Sequence, residues 1–159
     1  MPENPPDPAP ADAAIAARQH WMAVLARASE MQLRACLAGM PPLPDYVVLR
    51  GPEAGLVMLR GRAGGTGGRF NMGEMTVTRC TVRSAGGQVG HAYVTGRDAA
   101  QAELAARLDA ALQDEAMHDA LQAAVIGPLA SAQAAAREVT QRKAAATRVQ
   151  FFTMATMRS

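Results

Sequence analysis

Seven arginines fall between Asp45 and Arg97, against only three carboxylates, Asp45, Glu53 and Glu74. Arg60, Arg62 and Arg69 flank a run of small residues, Gly64, Gly65, Thr66, Gly67 and Gly68, and Arg79 and Arg97 follow further along. Guanidinium forks beside a loop of free backbone N–H groups are the chemistry of anion binding, phosphate or carboxylate. The candidate positions are therefore Arg60, Arg62, Gly65, Thr66, Gly67, Arg69, Arg79 and Arg97. The glycine run lacks the Gly-Lys-Ser/Thr ending of a P-loop and no helical pattern follows it, so neither a nucleotide P-loop nor a dinucleotide fingerprint is present. A plain hairpin loop between two strands explains the same residues on spacing alone. His91, Tyr93 and Arg97 could make a second polar site, although His and Tyr at alternate positions of a strand more often have a structural use.

No paired carboxylates, no Ser/His/Asp set and no Cys/His pair occur at spacings that suggest catalysis, so the sequence assigns no catalytic residue. Cys36 and Cys80 are isolated and no metal-ligand spacing is found; two unpaired thiols fit a reducing compartment. His20 lies beside Trp21, the single tryptophan, which is a candidate for either a buried anchor or an interface residue.

The elements that must hold these residues can be read from periodicity. A Pro-rich start, residues 1–11, has nothing to bury and is expected to be a disordered tail before a single domain, 12–159. From Asp12 an apolar stripe at helical spacing (Ile15, Met22, Leu25) marks a helix that carries Trp21. The order Ser29, Glu30, Met31, Gln32 is a capping box and predicts a break followed by a short second helix, closed by Gly39, Pro41 and Pro42. Strands are expected over 45–50, 56–62, 74–83 and 89–95, with turns at 52–55 and at Gly86 and Gly87. Such short connections permit only antiparallel neighbours. Asp98 with Gln101 caps the next helix, with Leu104, Leu108, Ala111 and Leu112 on one face. A further helical segment through Met117, Leu121 and Val125 runs to a breaker at Gly127 and Pro128. An Ala-rich helix follows over 130–146, with Ala132, Ala135, Ala136 and Val139 as its thin stripe. The chain then turns to strand character at Arg148–Met154, where Phe151 and Phe152 are candidates for an interface. The fold class expected is α+β, an antiparallel sheet of about four to five strands with N-terminal and C-terminal helices packed on it.

The bulk properties narrow the function classes. Apolar residues make up 49% of the 159 but aromatics only 4%, so the core is built from small side chains and a partner surface would add useful burial. The net charge of +2 is too small to imply nucleic acid, and the strands lack an aromatic stacking platform. Lys143 is the only lysine. Arginine suits bidentate anion pairing and protein interfaces, and a GC-rich codon bias gives the same skew. No apolar run is long enough to span a membrane, and the first residues lack the basic and apolar regions of a signal peptide. The expectation is a cytoplasmic, soluble chain.

Several segments, taken together and in order, resemble one family. They are Arg18, Gln19, His20, Trp21 and Met22; Gly64–Gly67 before Arg69 and Phe70; Thr76, Thr78 and Arg79; Gly96, Arg97 and Asp98; and Arg148, Val149, Phe151, Phe152, Thr153 and Met154. This set is similar to the PhnG family of the bacterial carbon–phosphorus lyase complex; the Pro-rich start falls outside the resemblance, and Gly68 stands where the family can carry a charged residue. The resemblance implies an accessory or structural subunit in phosphonate catabolism. Such a subunit supports transfer of the ribose triphosphate of ATP onto methylphosphonate with release of adenine. It implies partner subunits of the H, I, J and L types and a hetero-oligomer with two copies of this chain. No cofactor is expected on this subunit, ATP being a substrate of the complex, and the reacting groups belong to a neighbour. The competing reading, from the residues alone, is a free-standing small enzyme or binding protein for a phosphorylated ligand, using Arg60, Arg62, Arg69 and Arg79.

Overall fold

The computed structural model describes residues 10–62 and 67–147; Gly65 and Thr66, and the expected last strand with Phe151 and Phe152, lie outside them. Helix α1 spans Pro10–Arg27, starting two residues before the expected Asp12, and α2 spans Glu30–Leu37. Between them Ser29 does what its spacing predicts. Its hydroxyl accepts from the Gln32 N–H at 3.3 Å, while the Gln32 side-chain oxygen accepts from the Ser29 N–H at 2.9 Å. Two orphan donors at the start of α2 are thereby satisfied.

Three strands follow: β1 over Tyr46–Arg62, β2 over Arg69–Ser84 and β3 over Val89–Thr95. They form one antiparallel sheet in the order β1-β2-β3. The α+β class is as expected, but among the described residues the sheet has three strands instead of four to five. The difference lies in the residues read as a turn at 52–55. They continue β1, and the extra residues are absorbed as register shifts between Val48 and Arg50 and between Arg50 and Glu53. Gly51 makes this possible. It sits at φ +75°, and a Cβ there would lie 2.4 Å from the Arg79 carbonyl oxygen, so the kinked strand presses its backbone onto β2 where only glycine fits.

Helix α3, Ala99–Leu112, is capped by Asp98, whose carboxylate accepts from the Gln101 N–H at 2.9 Å. It packs on β2 and β3, burying Leu104, Leu108 and Leu112 with Cys80, Val82, Ala92 and Val94 of the sheet. The strands show the period of two expected of a half-buried sheet: Gly90, Ala92 and Val94 face in, His91, Tyr93 and Thr95 face out. The small residues in this layer set its spacing. A Cβ on Gly90 would stand 2.0 Å from the Ala106 carbonyl oxygen and 2.6 Å from the Ala110 nitrogen. Helix backbone rests almost directly on strand backbone.

Helix α4, Glu115–Leu121, passes without a break through a π-turn at Gln122–Ile126 into α5, Gly127–Ala146. The expected breaker at Gly127 and Pro128 therefore does not end the helix. Pro128 directly follows the π-turn, whose wider spacing makes room in the helix for a residue that has no N–H, and the Gly127 N–H reaches back to the Gln122 carbonyl across it. Only Leu129 of α5 is buried, and Ala132, Ala135, Ala136 and Val139 are exposed. No helix among the described residues is long and apolar enough to cross a membrane.

Gly90→Ala should be among the most damaging small changes in the chain, because the clash is with backbone and not with a movable side chain. The expected loss is about 3 kcal/mol, read as a fall in Tm of roughly 10 °C by calorimetry.

Candidate functional site

The polar side chains divide into three sets at different depths. The innermost centres on Asp109, on α3, which is 0% exposed. Arg18 grips it as a fork, Nε to Oδ1 at 3.2 Å and Nη2 to Oδ2 at 2.8 Å. The Trp21 indole N–H donates to Oδ1 at 2.8 Å, and the His91 backbone N–H donates to Oδ2 at 2.8 Å. Four donors meet the four lone-pair directions of one carboxylate, which is how a buried charge becomes tolerable. Arg18 also donates to the Val89 carbonyl at 3.0 Å, as does the Gln113 amide at 2.9 Å. The outer edge of β3 is thus tied to α1 and α3 by side chains. Trp21 is the buried anchor of the two possibilities its sequence left open. It is 6% exposed, with the His118 ring edge-on at 5.5 Å, so little of it is left to meet another molecule.

Asp109 is the residue that sequence reasoning missed. Its signal was a lone carboxylate on the apolar face of α3, between Leu108 and Leu112, at a place where a charge requires a partner. Two further segments of the chain-wide pattern also turn out to be scaffold. The Thr78 hydroxyl donates to the Gly96 carbonyl at 2.8 Å, and the Gly96 N–H donates to the Thr76 carbonyl at 2.9 Å, which seats the β3–α3 junction.

The second set lies on the open face of the sheet. Glu53 accepts from Arg79 at 2.6 Å and from Arg50 at 2.7 Å, and Arg79 stands opposite Tyr93 in the strand register. Hydrogen bonds from Arg50 and then Arg79 hold the Glu53 carboxyl below its usual range, and the same contact with Glu53 raises Arg79. The Thr81 hydroxyl lies 3.1 Å from His91 Nδ1. Beneath this face Cys80 is buried, and burial pushes its thiol up, away from a nucleophile's value. Tyr46, hydrogen-bonded to Glu103 and lying under the Arg107 guanidinium at 4.2 Å, is raised chiefly by the Glu103 contact. Neither thiol nor phenol is poised to react. No group of three or more His, Cys, Asp or Glu that could hold a metal occurs among the described residues.

The third set is remote from the second. Arg60, Arg62 and Arg69 are exposed at the far end of the β1–β2 ribbon, with Gly67 beside them, and Arg62 pairs directly with Arg69. Ten residues of β2 separate Arg69 from Arg79, a distance of about 33 Å at strand rise. The arginines that the sequence groups together are therefore two groups, and Arg79 cannot share a small ligand with Arg62 or Arg69. Arg97 belongs to neither; it lines a shallow hollow of about 200 Å³ with Ala54, Leu56 and Thr76 at the root of the ribbon. A larger groove, about 530 Å³, runs between α1 and α5 past His20, Arg27 and Arg137. What the open face of the sheet offers is recognition, cationic and apolar, with Glu53 already engaged by Arg50 and Arg79.

Comparison with known proteins places this geometry in context. Residues 16–157 match the family model described as phosphonate metabolism protein PhnG. A protein of Rhizobium meliloti (strain 1021), alpha-D-ribose 1-methylphosphonate 5-triphosphate synthase subunit PhnG, is 44% identical over 143 residues. The match covers 90% of this chain and 91% of that protein.

Two measurements check the polar sets. Asp109→Asn keeps the shape but offers amide hydrogens to groups that themselves donate, so it should cost about 3–5 kcal/mol and lower the denaturation midpoint accordingly. For Glu53, a carboxyl-carbon NMR titration should give a value below the 4.5 of an unperturbed glutamate, returning towards it in Arg79→Ala. Because the folded value is the lower one, the small stabilisation from this bridge is present above the unfolded value and is lost as pH falls through the folded one.

Proposed function

The chain belongs to the PhnG family of phosphonate-metabolism proteins, and from that premise we propose that it is an accessory subunit of a synthase complex. In this reading the complex joins the ribose triphosphate of ATP to methylphosphonate and releases adenine, while this chain shapes the assembly and leaves the reacting groups to its neighbours. The partners are subunits of the H, I, J and L types, in a cytoplasmic hetero-oligomer with two copies of this chain. ATP enters as a substrate of the complex, with no cofactor held here.

The observation that carries the reading is the commitment of the chain's polar side chains. Asp109, Arg18 and Trp21 are spent on one buried hub, and Glu53, Arg50 and Arg79 on one surface bridge. Thr76, Thr78 and Gly96 close a junction. Several of the residues through which the family is recognised, Arg18, Trp21, Thr78, Arg79 and Gly96 among them, are thus occupied in holding the scaffold. What remains available is surface: the ribbon arginines Arg60, Arg62 and Arg69, and the exposed stripe on α5.

Reconstitution tests this directly. The purified chain with ATP and methylphosphonate should release no adenine, the set of partner subunits without it should release little, and the complete set should restore release by at least tenfold. Adenine release by this chain alone, or undiminished release when it is left out, would overturn the proposal.

A further inference from the structure

The distal half of the β1–β2 ribbon stands apart from the rest of the fold. Strand β3 pairs with β2 only over Val77–Arg83, so among the described residues Arg69–Thr76 of β2 has β1 as its sole strand neighbour, and no described strand pairs with the outer edge of the 17-residue β1. A two-stranded ribbon is marginal in water unless something covers it. This one is also apolar. Leu56 is 63% exposed and Met72 66%, and Met58, Leu59 and Phe70 are each between 42% and 51% exposed. Met58 and Leu59 are successive residues and point to opposite faces, so uncovered apolar side chains lie on both sides of the ribbon. Summed over both faces they expose on the order of 500 Å², and apolar surface gathered on one element in this way is often functional.

The charges say what kind of molecule covers it. Arg62 lies directly across from Arg69 in the register, with Arg60 one turn of the pleat away. Like charges placed opposite one another on a ribbon repel, and Arg60, Arg62 and Arg69 make no salt bridge among the described residues. Strands β1 and β2 carry six arginines against two glutamates, and one of those, Glu53, is already held by Arg50 and Arg79. A second copy of this chain would bring the same cationic surface and add to the repulsion. The matching surface is that of a different protein, apolar along its walls and carboxylate-bearing at its end.

We propose that the ribbon formed by residues 56–62 and 69–76 is a docking arm, seated in an apolar slot of a non-identical partner subunit whose acidic side chains meet Arg60, Arg62 and Arg69. The inference rests on the reading of the chain as a subunit and names the element that joins it to the assembly. Both faces of the arm are enclosed, which distinguishes a slot from a flat contact. The open edge of β1 supplies backbone donors and acceptors to whichever wall lies beside it.

Co-expression of the tagged full chain with the other subunits of the complex tests it. Two variants are compared with the natural chain: Leu56→Ser/Met58→Ser/Leu59→Ser, and Arg60→Glu/Arg62→Glu/Arg69→Glu. Folding of each is checked by the emission of the buried Trp21 and by Tm, which should stay within a few degrees because the arm lies outside the core. Both variants should recover at least tenfold less of the partner subunits. Amides of 56–62 and 69–76 in the natural chain should exchange rapidly when free and at least a hundredfold more slowly in the complex, a readout that needs no substitution. Full recovery of partners by both variants, or unchanged exchange in the complex, overturns the docking arm while leaving the subunit reading intact. Loss of a homodimer instead of a heterocomplex in the variants overturns it in favour of a second copy. Failure of the natural chain to recover any partner overturns the subunit reading and the arm together.

Discussion

A single buried carboxylate organises this fold. Asp109 sits on α3 where α1 and β3 converge on it, and each of those two elements sends its carboxylate hydrogen bonds: Arg18 and Trp21 from the first, the His91 N–H from the second. Apolar packing between Ala-rich helices is adaptable, because small side chains slide over one another with little change in contact. A four-donor carboxylate is not adaptable, since a displacement of an ångström strands at least one buried polar group. The hub therefore fixes the position of α1 against the sheet more sharply than the apolar core could. It also closes one edge of the sheet, since Arg18 and Gln113 take up the Val89 carbonyl.

Much of the fold is visible in the sequence wherever local chemistry decides the outcome. Ser29 with Gln32 and Asp98 with Gln101 start helices by capping, an effect confined to one turn of chain. The inward alternation of Gly90, Ala92 and Val94 follows from the period of a half-buried strand. The departures occur where a distant contact wins. Pro52 and Gly55 look like a turn, yet β1 runs through them because β2 lies alongside to take up the kinked backbone at Gly51. Gly127 and Pro128 look like a stop, yet a π-turn carries the helix past them. Asp109 gave no sign in its own neighbourhood of what it would hold, because its partners lie 18 to 91 residues away.

The candidate site was less visible than the fold, and for a related reason. Proximity in sequence placed Arg60, Arg62, Arg69 and Arg79 in one group, but an extended strand separates residues faster than any other regular structure. Ten residues of strand carry a side chain clean across a small domain. The glycine run suggested a cradle, whereas the described backbone on either side of it is a ribbon projecting past the third strand. Conversely, the family pattern around Arg18, Trp21, Thr78 and Gly96 marks positions that hold the molecule together, so recognising the family and locating its working surface are separate problems in this chain.

The opposed pair Arg62 and Arg69 has a consequence for the chain before it meets any partner. An uncovered apolar ribbon with an open edge is the geometry from which chains stack edge to edge, and a cationic tip is a natural gatekeeper against that stacking. The same guanidinium groups that invite an acidic neighbour keep free copies apart while they wait. Added salt, which ordinarily keeps basic proteins in solution, would here weaken the guard by screening it. The colloidal behaviour of the solitary chain thus follows from one cross-strand pair at its outermost point.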